Sequence, residues 1–203
     1  SFNLCLGNGT AIKAMANGTM CATCFVGCGA GLTGIEAGFS PDADNNLIAG
    51  TNAASSAYNP ASCAACDNVI MGTSAGCKLT TSCSNVLIGK GSGTCIEGGS
   101  CNTFVGHYSG FCITSGVHNT FLGFEAGFCN STGFHNVFIG KGTGCGNTTG
   151  CYNVAIGSEI RGCGTGMTGN YNIMFGRQAG QCISTGGCNI FMGRQVGNNT
   201  SDG

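Results

Sequence analysis

The chain has 203 residues, of which only 7% are charged, and a net charge of −1, so it carries neither the basic footprint of a nucleic-acid binder nor an electrostatic membrane anchor. Its 39 glycines argue against helix, where each interior glycine costs about 1 kcal/mol, and two prolines without glycine at every third position exclude collagen. No apolar run approaches the ~18 residues of a spanning helix, so membrane insertion is not expected.

The N-terminus, SFNLCLGNGT, lacks the basic start and apolar stretch of a signal peptide, and the chain is expected to begin inside a longer product. Residues 1–67 carry a loose motif: NLCLG at Asn3, TCFVGCGAG at Thr23 and NLIAGTNAA at Asn46, spaced by about 20 residues. They read as irregular solenoid coils with longer loops. Cys21-x2-Cys24 and Cys63-x2-Cys66 have zinc-site spacing, but coils two layers apart would hold them ~10 Å from each other. That is too far for four thiolates around one ion at Zn–S ≈ 2.3 Å, so local contacts are expected instead.

Residues 68–203 are regular. From Asn68 an Asn followed by three apolar or Thr residues and a Gly recurs at Asn85, Asn102, Asn119, Asn136 and Asn153, then after a two-residue insertion at Asn172, and again at Asn189. The period is 17 residues, the signature of a solenoid. With the Asn as position 0, positions 1–3 are a β-branched and aromatic run suited to a strand, and glycines at positions 4, 8 and often 14 suit sharp turns. The expected fold is therefore all-β, a parallel β-solenoid in one continuous elongated domain, with the Asn residues stacked as an amide ladder.

Both faces of the repeated strand are apolar. Position 2 gives the column Ile70, Leu87, Phe104, Phe121, Phe138, Ala155, Met174 and Phe191, and positions 1 and 3 give the opposite one, such as Val137 and Ile139. Only one face can fill the thin interior of such a coil, so the other is expected to meet further copies of the chain, three around the rod axis. We expect the column of Phe104, Phe121, Phe138 and Phe191 to lie between chains; coverage by the chain's own loops is the alternative.

Seventeen cysteines follow the same period. Cys77/Cys83, Cys95/Cys101, Cys145/Cys151 and Cys182/Cys188 form C-x5-C pairs, and Cys112/His118 and Cys129/His135 replace the second Cys by His. Three chemistries fit: disulfides within a coil, binding of zinc or iron at the Cys/His positions, and thiols packed as small apolar side chains. No cofactor is otherwise called for. The few carboxylates, including Glu97, Glu125 and Glu159, sit at variable positions, and no catalytic constellation recurs, so an enzyme is not expected.

The blocks NTFLGFEAG (from Asn119) and NVFIGKGTG (from Asn136), with TTG or STG before the next Asn, resemble the repeat regions of phage tail-fibre and related virion structural proteins, including the Cys-rich repeats of cyanophages. They are also similar to the shorter SVAIG-type repeats of trimeric autotransporter adhesin heads. The resemblance implies a homotrimeric fibre on a virion that contacts a cell-surface receptor, a glycan or a surface protein. A bacterial trimeric surface adhesin or extracellular filament subunit is the alternative it implies. Ser201-Asp202-Gly203 resembles the opening of the self-cleaving chaperone that ends many phage fibres, which would set the register of the trimer.

Overall fold

A computed structural model of the chain describes residues 3–6, 10–13, 44–54, 65–161 and 166–197. The Thr23 block, Cys21, Cys24, Cys63 and the C-terminal Ser201-Asp202-Gly203 lie outside the described residues. The chain divides into two compact units, residues 1–38 and 39–203.

In the first unit β1 (Asn3–Leu6) pairs antiparallel with β2 (Thr10–Lys13), in a register that sets Asn3 opposite Lys13 and Leu6 opposite Thr10. The expectation that Asn3 begins a solenoid coil is thereby corrected. A register that sets Leu6 opposite Thr10 reverses the chain within a few residues, which a solenoid coil does not do.

The second unit holds one sheet of nine parallel strands in sequence order, and no helix among the described residues. These are β3 (Leu47–Ala49), β4 (Val69–Met71), β5 (Val86–Ile88), β6 (Thr103–Val105), β7 (Thr120–Leu122), β8 (Val137–Ile139), β9 (Val154–Ile156), β10 (Ile173–Phe175) and β11 (Ile190–Met192). Each strand is positions 1–3 of the repeat, and the register sets equivalent residues beside one another, as in Phe104 beside Phe121 beside Phe138. A parallel β-solenoid is thus formed, and β3 and Asn46 join its sheet and its Asn column although 22 residues separate Asn46 from Asn68.

Three inward columns make the core. Position 2 supplies Ile70, Leu87, Phe104, Phe121, Phe138, Ala155 and Met174, all fully buried. Position 11 supplies Leu79, Ile96, Ile113, Asn130, Asn147, Met167 and Ile183, and the small residues Ala75, Ser92, Ser109, Ala126, Thr143 and Ala179 come from position 7. Volume is traded between positions 2 and 7: where position 2 is a large side chain, position 7 is Ser, Ala or Thr, and where position 2 shrinks to Ala155, position 7 grows to Ile160. Interiors at crystal-like density require this trade, because an unfilled methylene costs contacts and an extra one forces strain. The Phe rings stack at the coil repeat, with centroids 4.8 Å apart for Phe104 and Phe121 and 5.0 Å for Phe121 and Phe138. Buried hydroxyls are satisfied locally: Ser109 Oγ donates to the Phe121 carbonyl at 3.0 Å and Ser92 Oγ to the Phe104 carbonyl at 3.2 Å.

The Asn of position 0 forms the expected ladder. Asn119 Nδ2 donates to Asn102 Oδ1 and to the Gly133 carbonyl, while Asn119 Oδ1 accepts from both the backbone N–H and the Nδ2 of Asn136. The same arrangement links Asn46, Asn68, Asn85 and Asn102 below and continues to Asn189 above. A buried amide is tolerated only when its donors and acceptors are matched, which only another Asn at the same height in the next coil provides.

Two corners take left-handed backbone without needing glycine, one at position 6, with Ser74, Tyr108, Glu125, Glu159, Gln178 and Gln195 at φ 54–60°, and one just before each Asn. The residue before each Asn has φ between 55° and 61° whether it is Ser84, Cys101, His118, His135, Tyr152, Tyr171 or Cys188. Each such residue costs on the order of 1 kcal/mol, offset by coil-to-coil hydrogen bonds such as His135 N–H to the Val117 carbonyl at 3.1 Å.

Candidate interaction face

The strand alternation decides which apolar column is inside. Phe104, Phe121 and Phe138 are wholly buried within their own chain, and Phe191 in the last strand packs against the same core. The expectation that this column lies between chains is therefore corrected: it is the interior, and positions 1 and 3 face out. A Cβ at position 2 points between the turns that close the coil, where position 7 offers small residues to receive a ring. The signal for this was in the sequence, since the outer column admits Thr103 and Thr120 whereas the inner one has no hydroxyl in any repeat.

The outer face is a flat apolar surface, two columns wide, running along the sheet. Val69, Val86, Val137 and Val154 in one column and Met71, Ile88, Leu122, Ile139 and Ile156 in the other are half-buried. Exposure is greatest toward the C-terminal end, where Ile173, Phe175, Ile190 and Met192 are 38%, 40%, 68% and 69% exposed. An apolar surface of this continuity is unusual on a monomer and is a candidate interaction site.

A second surface lies at the left-handed corner. His118 stacks on His135 (4.8 Å, 5°), His135 on Tyr152 (5.0 Å, 15°) and Tyr152 on Tyr171 (4.9 Å, 6°), forming one aromatic pile across four coils. Beside it an open groove of about 370 Å³ is lined by Phe134, Thr149, Cys151, Tyr152, Thr168, Asn170 and Tyr171. Sequence reasoning missed the pile, although its members all immediately precede the repeated Asn residues.

The Cys and His candidates for zinc or iron are not brought together. Cys112 and Cys129 stand at position 10, six residues along the coil from His118 and His135. The two imidazoles are parallel, so their in-plane nitrogen lone pairs do not converge on one ion. Among the described residues no group of three or more His, Cys, Asp or Glu is gathered for a metal. Burial pushes the Cys112 thiol up, and the neighbouring Cys129 and Cys95 add to the shift. Cys129 is raised by burial and by Glu125, and Cys145 by burial against the opposing pull of Arg161.

Among the described residues no disulfide joins Cys77 to Cys83, Cys95 to Cys101, Cys145 to Cys151 or Cys182 to Cys188. The coil's own geometry separates the two members of such a pair. Between Cys95 and Cys101 the chain sends Ile96 into the core and presents the Gly99 carbonyl to Asn85 Nδ2, which holds the two cysteines on separate stretches of the perimeter. The sulfur contact that does form runs between coils, Cys66 Sγ to Cys83 Sγ at 2.8 Å. The hydrogen bond to Cys83, with burial adding, pushes the Cys66 thiol up to about 12.

No helix among the described residues is long and apolar enough to cross a membrane. Comparison with protein-family models, curated proteins and solved structures finds no match for the chain.

Proposed function

We propose that this chain is a length of structural fibre on a virion, of the tail-fibre kind, in which three copies associate in parallel and support attachment to a host cell surface. The observation that carries the reading is the outer apolar face of the nine-strand sheet, two side chains wide and repeated coil after coil without an interrupting charge. A monomer would leave that surface against water at roughly 25 cal/mol per Å², whereas parallel copies bury it. Because equivalent residues recur at one spacing, a partner bound at one coil is in register at all of them.

The same regularity suits a load-bearing rod. Every coil is tied to the next by strand hydrogen bonds, corner hydrogen bonds and the Asn ladder, so stability accumulates along the axis as a sum of nearest-neighbour terms. The receptor, a glycan or a surface protein in this reading, is not assigned to residues of this chain.

Two measurements test the proposal. Native mass spectrometry of the purified chain should give three copies per particle. Gold-labelled antibody against the chain should decorate an appendage of the virion and slow adsorption to host cells. A single-copy mass, or label on a bacterial envelope instead of a virion, overturns it.

A further inference from the structure

We propose that Cys66 and Cys83 are an oxidation site, joined as a disulfide between two successive coils when the chain meets a disulfide oxidant. The two sulfurs already touch at 2.8 Å, and Cys83 Sγ also receives the backbone N–H of Cys66 at 3.3 Å. Both residues stand two places before a ladder Asn, Asn68 or Asn85, and are therefore vertical neighbours on adjacent coils. Parallel strands lie ~4.8 Å apart, and a disulfide needs Cα atoms about 4.4–6.8 Å apart, so the coil repeat itself presents the required span.

A second observation shows that the aim of Cys83 is built into the fold. At this place in the repeat the side chain reaches back over the preceding coil and caps its backbone N–H. Ser100 Oγ accepts from Cys83 N–H at 3.0 Å and Asn170 Oδ1 from Cys151 N–H at 2.7 Å. Cys83 does the same to Cys66, but there the residue beneath also carries a sulfur. Above this pair the column continues as Ser100, Val117, Phe134, Cys151 and Asn170, so no other described cysteine in it has a sulfur neighbour.

The chemistry balances with a low-molecular-weight disulfide such as oxidised glutathione. One protein thiolate attacks a sulfur of the oxidant, releasing one reduced thiol and leaving a mixed disulfide. The second protein thiolate attacks the protein sulfur of that adduct, releasing the second reduced thiol. The S–S bond forms as two electrons pass to the oxidant, and the two protons shed by the cysteines end on the released thiols.

The bond would tie the coil of β3 to the coil of β4, at the edge of the sheet where, among the described residues, β3 has a strand neighbour on one side only. In a linear array the terminal unit has one interface rather than two and opens first, so a covalent link there suppresses fraying where it begins.

Trypsin makes the test direct, because cleavage after Lys78 and Lys90 isolates residues 79–90, which contain Cys83 and no other cysteine. The folded chain is incubated with oxidised glutathione, remaining thiols are alkylated, and the denatured protein is digested without reductant. We expect peptide 79–90 to be covalently attached to the peptide carrying Cys66, fragmentation to place the bond at Cys66, and backbone amides of Leu47–Ala49 to exchange about tenfold more slowly than in the reduced chain. In Cys83→Ser, which copies the residue the next coil has at Ser100, the oxidant should leave that exchange unchanged. Alkylated Cys83 after oxidation of the folded chain, or a bond from Cys83 to any cysteine other than Cys66, overturns the proposal.

Discussion

Asn119 is bound to Asn102 through both its backbone and its side chain: its N–H donates to Asn102 Oδ1 at 2.9 Å and its Nδ2 donates to the same oxygen at 3.2 Å. The side chain makes four hydrogen bonds in all while almost fully buried, so Asn119→Ala leaves several buried groups without partners at once. We expect a loss of about 4 kcal/mol, readable as a shifted urea midpoint. Asn189 sits at the last described rung and is only partly buried, so Asn189→Ala should cost less than half as much. Equal costs would show that the ladder is incidental to stability.

Changing the same residue to Asp should make stability pH-dependent. A carboxylate there cannot donate to Asn102 Oδ1 or to the Gly133 carbonyl, and burial would raise its pKa above the ordinary ~4 of the unfolded chain. A raised folded-state pKa means stability is present at acid pH and lost as pH rises through that value. Asn119→Asp should therefore melt higher at pH 4 than at pH 7, opposite to any trend of Asn119→Ala.

The ladder was legible because Asn68, Asn85, Asn102, Asn119, Asn136 and Asn153 repeat without exception, and the strands and position-4 glycines came with it. The inside–outside choice was harder, since position 2 and positions 1 and 3 are all apolar and a period of two is symmetric between faces. Only the trade between Ala155 and Ile160 and the outer Thr103 and Thr120 break that symmetry. The cysteines are hard to read for a related reason: spacing along the chain pairs Cys77 with Cys83, whereas a solenoid also brings together residues one coil apart, and Cys66 is 17 residues from Cys83. The corner before each Asn was invisible to glycine counting, because left-handed backbone is held there by Ser, Cys, His and Tyr.

Glycines in this repeat are not interchangeable, and two substitutions to alanine separate their roles. Gly89 has φ +124°, and a Cβ there would stand 2.6 Å from the Gly106 carbonyl oxygen, a backbone atom of the next coil that cannot yield. Gly142 has φ +61°, and its Cβ would meet only the Arg161 guanidinium at 3.1 Å, the end of a flexible side chain; its counterpart Glu125 already carries a side chain at φ 54°. Gly89→Ala should lose at least ~4 kcal/mol and Gly142→Ala about 1 kcal/mol. Similar thermal shifts for the two would contradict the close approach of successive coils.

The thiols of Cys112, Cys129 and Cys145 are all held above their ordinary value, chiefly by burial. The unfolded chain therefore releases these protons first as pH rises, and the stability contributed by the protonated folded thiols is lost from the ordinary thiol range upward. Urea midpoints measured under reducing conditions should fall as pH increases through that range, and Ala at all three positions should flatten the decline. An unchanged slope in the triple variant would remove these thiols from the account.

The two faces of the sheet predict opposite outcomes for the same kind of insult. Phe121 is enclosed between Phe104 and Phe138 inside its own coil, so Phe121→Ala opens a cavity that neighbouring backbone cannot collapse to fill and should cost about 3–5 kcal/mol in any oligomeric state. Val105 and Phe175 point outward and are 37% and 40% exposed, so the chain's own fold should accept Val105→Lys and Phe175→Lys at within about 0.5 kcal/mol. Between parallel copies those ammonium groups would be stripped of water without a partner, because the facing columns offer Val, Ile, Leu and Met and no carboxylate. The double lysine variant should keep the circular dichroism of the β-solenoid while its native mass falls from three chains to one. If it stays trimeric, the copies meet elsewhere on the coil, and the outer face loses its claim as the seam of the fibre.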